Sequence, residues 1–213
     1  MLLGVGGIIR MRGAVVLAGG TSKRLGGNKA LIRLGDRPLL LHVVERVSEL
    51  VSETVVVIGA RDDADRYASV LPSTVMVLKD VVEGKGPLAG VLTGMQGTRS
   101  NHVLVLPCDS PFVKREVLRY LFESVEGSDA AVPRWPNGNI EPLHAVYRAS
   151  SAAPAARDAL GRGELFIRDM IRRLERVVYV DTETIRGLDP GLTTFFNINS
   201  QEDLQAARRL IEK

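Results

Sequence analysis

The chain has 213 residues, 45% hydrophobic and 25% charged, enough for one domain with a buried core and unlike a disordered tail or a collagen-like repeat. A single cysteine, Cys108, excludes an internal disulfide framework and a multi-cysteine zinc site and fits a reducing compartment, while three histidines leave little for a histidine-rich metal centre. The net charge of +3 is uneven: residues 1–50 carry +5 and the remainder −2, a local basic region that points to a small anionic ligand rather than to nucleic acid.

Met1–Ile9 is apolar but falls well short of the ~20 residues of a membrane span. It also lacks the basic start and small-residue cleavage site of a signal peptide. Met11 stands just before a strong strand and could itself be the start. Residues 1–10 are therefore expected to be a flexible extension, residues 11–213 a single domain, and the protein cytoplasmic and free of membrane. Ala14–Ala18 reads as a short buried strand followed by a glycine-rich loop. Arg37–Val51 has Leu40, Leu41, Val44, Val47 and Leu50 at helical spacing. Thr54–Gly59 is a second strand, Asp62–Leu71 a short helix and Thr74–Leu78 a third strand. Leu88–Gly97 is a helix and His102–Pro107 a fourth strand.

Pro111, after Ser110, is expected to start a helix that runs over Val113–Val125, since its missing N–H costs nothing there. Asp129–Pro133 is a strand, and Pro136-Asn137-Gly138-Asn139 a turn leading into Pro142–Tyr147. Ser150–Leu174 is helical with a break near Gly161–Gly163, and Arg176–Val180 is a strand. Ser200–Ile211 is a terminal helix with Ser200 at the N-cap and Asp203 in the first turn. Continuous apolar strands alternating with helices predict a three-layer α/β/α domain around a mainly parallel, Rossmann-like sheet.

The run Gly19-Gly20-Thr21-Ser22-Lys23-Arg24-Leu25-Gly26-Gly27-Asn28-Lys29 follows the first strand. Glycines let several backbone N–H groups turn toward one anion, Thr21 and Ser22 add hydroxyls, and Lys23, Arg24 and Lys29 add charge. This fits a triphosphate cradle at the carboxyl end of a strand, where open α/β sheets bind ligands. The alternative is a solvated loop with incidental charge. It is not a P-loop, because five residues separate Gly20 from Gly26 and Ala30 follows Lys29, and no G-x-G-x-x-G is present.

Asp109, in Pro107-Cys108-Asp109-Ser110-Pro111, lies just past a buried strand, where a carboxylate can hold Mg²⁺ against phosphate oxygens. Its alternative is a helix cap, a task open to Ser110. Cys108 has no persuasive histidine partner and is read as a small buried residue. Trp135 either stacks on a substrate ring or covers a loop, with the loop favoured. Arg157, Arg162, Arg168, Arg172, Arg173 and Arg176 are read mainly as a solvated face paired with Asp158, Glu164, Asp169 and Glu175. In Phe196-Asn197-Ile198-Asn199-Ser200, alternation puts the Asn197 and Asn199 amides on one side.

The pattern Leu17-Ala18-Gly19-Gly20-x-Ser22-x-Arg24-x-Gly26-x-x-Lys29 resembles the signature of small nucleotidyltransferases, and most strongly the molybdenum cofactor guanylyltransferases. The resemblance runs from Met11 to the terminal helix and implies the nucleotide-diphospho-sugar transferase type of fold. It implies transfer of GMP from GTP to molybdopterin with release of pyrophosphate and Mg²⁺ as cofactor. Leu17, Ala18, Gly19, Gly20, Ser22 and Lys29 would take the GTP, with Arg24 matching the loop arginine. Asp80 and the Gly86-Pro87-Leu88-Ala89-Gly90 run would take the rest of the nucleotide. Asp109 would hold the magnesium, and Glu141, His144, Asn197 and Asn199 would lie toward the acceptor.

Many related enzymes have a second acidic metal ligand near the last of these, and here it is lacking. The nucleotide half is expected at about 11–110 and the acceptor half at about 111–213. Transient contacts with other cofactor-biosynthesis proteins or molybdoenzymes, and a monomer or weak homo-oligomer, complete the expectation. The rivals are a sister transferase that uses CTP or another nucleotide with molybdopterin or another small phosphorylated acceptor and, further off, a non-catalytic GTP-binding or cofactor-delivery protein, disfavoured because both Lys29 and Asp109 are present.

Overall fold

The protein is described by a computed structural model that covers residues 11–19, 21–22, 25, 27–80 and 86–211, with backbone alone at residues 21 and 22. The 1–10 extension, Gly20 and Arg24 lie outside the described residues. The chain opens with β1 (Arg12–Leu17) and two short hairpins, β2 (Thr21–Ser22) with β3 (Gly27–Asn28) and β4 (Arg33–Leu34) with β5 (Arg37–Pro38). There follow α1 (Leu39–Val47), β6 (Glu53–Ile58), α2 (Ala64–Ala68), β7 (Met76–Lys79), α3 (Gly86–Gly97), β8 (His102–Pro107) and α4 (Arg115–Ser124). The second half contains β9 (Ala130–Arg134), β10 (Ala145–Arg148), α5 (Ala149–Gly161), α6 (Ile167–Ile171), β11 (Val177–Asp181), α7 (Thr182–Arg186) and α8 (Gln201–Ile211).

Seven strands form one sheet in the order β11-β9-β10-β8-β1-β6-β7, parallel except for β10, which runs against both of its neighbours. The apolar strand runs follow from burial on both faces. Val15, Val55, Val57, Val103 and Val105 pack with α3, α5 and α6, while Val16, Val56, Ile58, Leu104 and Leu106 pack with α1, α2 and α4. A smaller cluster of Leu25, Leu34, Leu39, Ile198, Leu204 and Ala207 seats α8 beside the glycine-rich loop. The three-layer, mainly parallel architecture expected from the sequence is the one observed. Among the described residues no helix is long and apolar enough to cross a membrane.

Several boundaries differ, each for a local reason. The helix expected over Arg37–Val51 is only Leu39–Val47, because Arg37 and Pro38 pair with β4 and the Leu39 N–H bonds the Ile32 carbonyl at 2.8 Å. Pro111 does not start a helix. It sits in a turn, and α4 begins at Arg115 behind an extended Lys114, whose N–H is taken by Thr194 Oγ1 at 3.1 Å. The Asn137-Gly138 turn is present, with Gly138 at φ 85°. The break between α5 and α6 falls at Gly163, where φ is 77°.

Glycines let α3 pack closely on β1, and Gly94 makes the tighter approach. A Cβ at Gly94 would come within 2.4 Å of Val15 Cγ1, and Val15 is fully buried and stiff at χ1. Gly94→Ala is expected to cost about 1–3 kcal/mol through overpacking. A lowered urea midpoint would display the cost, and an unchanged midpoint would contradict the contact.

Candidate active site

The glycine-rich loop is pinned at both ends on one buried tyrosine. Tyr67, on α2, donates to Asp62 Oδ2 at 2.8 Å and lies 3.3 Å from the Ala18 carbonyl, while Asn28 Nδ2 donates to its hydroxyl. Burial raises the phenol pKa, so it stays a neutral donor. Gly19 crosses the end of β6 so closely that a Cβ would stand 3.0 Å from the Gly59 nitrogen. Asn28 then caps a single 3₁₀ turn, Lys29–Leu31, by accepting from the Ala30 N–H at 3.1 Å. That cap fixes where Lys29 leaves the backbone.

Lys29 Nζ reaches across the carboxyl edge of the sheet. It donates to Asp109 Oδ2 at 2.5 Å and to Asn199 Oδ1 at 2.6 Å. Asp109 follows β8, which lies beside β1; the ladder continues past the strand ends where the Cys108 N–H bonds the Leu17 carbonyl at 3.0 Å. Residues 29, 109 and 199, distant in sequence, thus meet at one point. Asp109 Oδ1 is buried and has no hydrogen-bond partner among the described residues. Among the same residues no group of three or more His, Cys, Asp or Glu side chains could hold a metal by itself. A buried carboxylate oxygen left open beside the glycine-rich loop has the chemistry to take a hard divalent cation, which can be held by one or two protein carboxylates and complete its shell from other oxygen donors.

The Asn197–Asn199 strap lies against the Asp109 turn. Ile198 N–H donates to the Asp109 carbonyl at 2.9 Å, and Ser110 Oγ donates to Asn197 Oδ1 at 2.5 Å. Both expected amides therefore serve the same corner. Asp203 Oδ2 accepts the N–H groups of Asn199 and Ser200, each at 2.9 Å, and Ser200 Oγ accepts from the Asp203 N–H at 3.2 Å. Ser200 is the N-cap and Asp203 lies in the first turn, as anticipated, and the two bond reciprocally as a capping box. Those hydrogen bonds hold the Asp203 carboxyl below its usual range, with Lys29 adding a smaller electrostatic share.

Asp80 and Gly86 sit further along the same edge. Asp80 closes the β6–β7 ladder through its N–H to the Ile58 carbonyl at 2.8 Å, and its Oδ1 accepts from Thr93 Oγ1 on α3 at 3.2 Å. Gly90 leaves room for this approach, with its missing Cβ 3.7 Å from Asp80 Oδ2. Gly86 opens α3 at φ 67°.

On the other side of β8, Glu141 is partly exposed and accepts from Trp135 Nε1 at 2.7 Å, and its own burial raises its pKa. Trp135 packs edge-on against Phe195 at 5.6 Å and so covers a loop. His144 is enclosed, with 1% of its side chain exposed, and so stands apart from the accessible groups expected near an acceptor. Sequence reasoning missed Tyr67 and read Ser110 only as a cap; neither carries a spacing signal that ties it to the loop or the strap.

Cys108 fits its structural reading, since burial beside Asp109 pushes the thiol up to about 12. In the basic helical region Arg162 and Arg173 pair with Asp158, and Arg172 with Asp169, as a solvated face would.

Burial drives the His144 pKa from 6.5 down to about 3. The folded chain therefore keeps it neutral while the unfolded chain protonates it below 6.5. Its contribution is complete above that pH and erodes as pH falls toward the folded value, by on the order of 5 kcal/mol in full. Glu141, with its raised pKa, contributes with the opposite sign, and Asp129 and Asp203, both lowered, lose stability only below about 3.8. His144→Gln is thus expected to flatten the fall in urea midpoint between about pH 6.5 and 5. Equal slopes in variant and wild type would contradict the burial.

A glycine-rich loop, a lysine and a carboxylate with one open oxygen, gathered at the carboxyl edge of a mainly parallel sheet, fit a nucleotidyltransferase, the class to which the relatives belong. The chain belongs to the family described as the MobA-like NTP transferase domain, which matches residues 14–177. It is 35% identical over 199 residues to a probable molybdenum cofactor guanylyltransferase of Methanosarcina mazei, covering 91% of this chain and 88% of that one. It is 30% identical over 200 residues to the molybdenum cofactor guanylyltransferase of Desulfosudis oleivorans, covering 93% and 95%. The crystal structure of molybdopterin-guanine dinucleotide biosynthesis protein A from Archaeoglobus fulgidus superposes with a TM-score of 0.80 at 33% identity, over 94% of this chain and 98% of the other.

Proposed function

We propose that the chain transfers GMP from GTP to molybdopterin, giving the guanine dinucleotide form of the cofactor and pyrophosphate. The observation that carries this reading is the meeting of Lys29, Asp109 and Asn199 beside the glycine-rich loop. A terminal phosphate oxygen of the acceptor attacks the α-phosphorus of GTP, the bond to the bridging β-phosphate oxygen breaks, and its electron pair leaves with pyrophosphate. The acceptor phosphate is already ionised near neutral pH, so no protein base is needed. Neutral His144 and protonated Cys108 fit that economy.

Lys29 and the loop amides offset charge on the phosphates and hold the α-phosphorus in line, so that catalysis is mainly positioning and electrostatics. Asp109 would hold Mg²⁺ through its open Oδ1; when bound, that ion supplies Lewis-acid neutralisation of the phosphate oxygens. Arg24, Gly20 and the Ser22 hydroxyl are assigned to the phosphates, Asp80 and Gly86 to the nucleoside side, and Glu141 with the strap amides to the acceptor side. Residues of about 11–110 then form the nucleotide half and those of about 111–213 the acceptor half. The same reading places the protein in the cytoplasm as a monomer or weak homo-oligomer, in transient contact with other cofactor-biosynthesis proteins or molybdoenzymes.

Titration of the protein with GTP, CTP, ATP and UTP, each with and without Mg²⁺, tests the nucleotide. Selective, cation-dependent GTP binding is expected. A preference for CTP or UTP would transfer the site to another base, and binding of none would remove the nucleotide reading.

A further inference from the structure

One buried titratable side chain, His144, takes no part in the mechanism above, yet it lies one hydrogen bond from the Asp109 turn. Its Nε2 is 3.0 Å from Ser110 Oγ. Ser110 is completely buried and has one hydroxyl proton, which goes to Asn197 Oδ1 at 2.5 Å. The imidazole must then donate from Nε2, leaving Nδ1 with a lone pair. Nδ1 is indeed buried and unpartnered among the described residues, with Glu141 Oε2 3.8 Å away. The Phe195 ring, in the segment just before the strap, closes on the imidazole edge-on at 5.4 Å.

We propose that His144 is a positioning residue: by donating to Ser110 it commits the serine proton to Asn197 and so sets the 196–199 strap against Asp109. The proposal rests on the assignment of Lys29, Asp109 and Asn199 to the reaction. Its mechanical basis is the spacing of the contacts. Asn197 is held by Ser110, Ile198 by the Asp109 carbonyl, and Asn199 by Lys29, so three successive strap residues are fixed to the corner that carries the chemistry. Ser110 is the only one of these anchors with a rotatable hydroxyl, and His144 removes that freedom. Filling space alone would favour an apolar side chain, because a buried imidazole with an unpartnered nitrogen is costly. Displacement of a reacting group by about 1 Å costs on the order of 100-fold in rate, so a small slip of Asn199 and Lys29 is enough to matter.

The test compares His144→Leu, His144→Gln and Ser110→Ala with wild type, measuring kcat at saturating GTP and Mg²⁺ alongside the Kd for GTP. Gln can present an amide donor near the position of Nε2, and Leu cannot. Loss of kcat by roughly 10-fold or more in the Leu variant, with GTP affinity within about twofold and most activity restored by Gln, is expected. Combining His144→Leu with Ser110→Ala is expected to cost no more than the worse single change. Full kcat in His144→Leu, equal losses in Leu and Gln, or additive losses in the double variant would each overturn the proposal.

Should wild type transfer no guanylyl group at all, the functional reading fails separately. The imidazole ¹⁵N spectrum then decides the positioning role. A slowly exchanging Nε2–H tautomer that changes in Ser110→Ala supports it, and an Nδ1–H tautomer or a signal indifferent to Ser110 overturns it.

Discussion

Asp109→Asn is expected to lower kcat by roughly 100- to 1,000-fold while the protein stays folded. Asparagine keeps the shape of the side chain and an oxygen for Lys29, so the corner between β1 and β8 retains its packing. What disappears is the negative charge, together with the open, buried Oδ1 that has no other partner among the described residues. An unsatisfied buried acceptor costs a native protein about 1–3 kcal/mol, and its retention here is intelligible if a cation meets it during turnover. The check is cation-dependent turnover together with the unfolding midpoint. Near-wild-type turnover that still depends on the cation would take Asp109 out of the mechanism.

Lys29→Met is expected to weaken GTP binding by roughly 10- to 100-fold, the worth of a hydrogen bond to a charged group of about 1.5–3 kcal/mol. Lys29 is only 20% exposed, so its charge is less screened than that of a surface lysine. Methionine keeps the aliphatic stem and removes both donors to Asp109 and Asn199. Isothermal titration with GTP reads the change. Unchanged affinity would show that the loop does not bind the phosphates.

Much of this is legible in the sequence alone, and the legible parts share a cause. β8 spans His102–Pro107 as expected, and β1 is displaced by at most two residues, because continuous apolar runs allow little else in a sheet buried on both faces. Lys29 and Asp109 were recognisable because each follows a buried strand, and strands β1 and β8 then prove to be neighbours. The terminal cap was readable from Ser200 and Asp203, since its hydrogen bonds are local.

What escaped depends on distance along the chain or on brevity. The reversal of β10 between β8 and β9 is set by pairing partners, not by its own sequence. α7, Thr182–Arg186, is too short to show a period. The 3₁₀ turn Thr193–Phe195 depends on Leu192 at φ 47° and on Asp189 Oδ2 accepting the Thr194 N–H at 2.7 Å. The burial of His144 follows from Phe195 and Ser110 closing over it from two other segments, which residue 144 alone does not announce.

The measurement that bears most directly on the central claim follows the α-phosphate itself. Purified protein is incubated with Mg²⁺, molybdopterin and GTP labelled at the α-phosphorus, and the pterin fraction and pyrophosphate are both quantified. The account predicts label in the pterin product with one pyrophosphate released for each transfer, and labelling slowed by roughly 100- to 1,000-fold when Asp109→Asn is substituted. Label that reaches the pterin from CTP but not from GTP, or that appears only as free GMP, would contradict it.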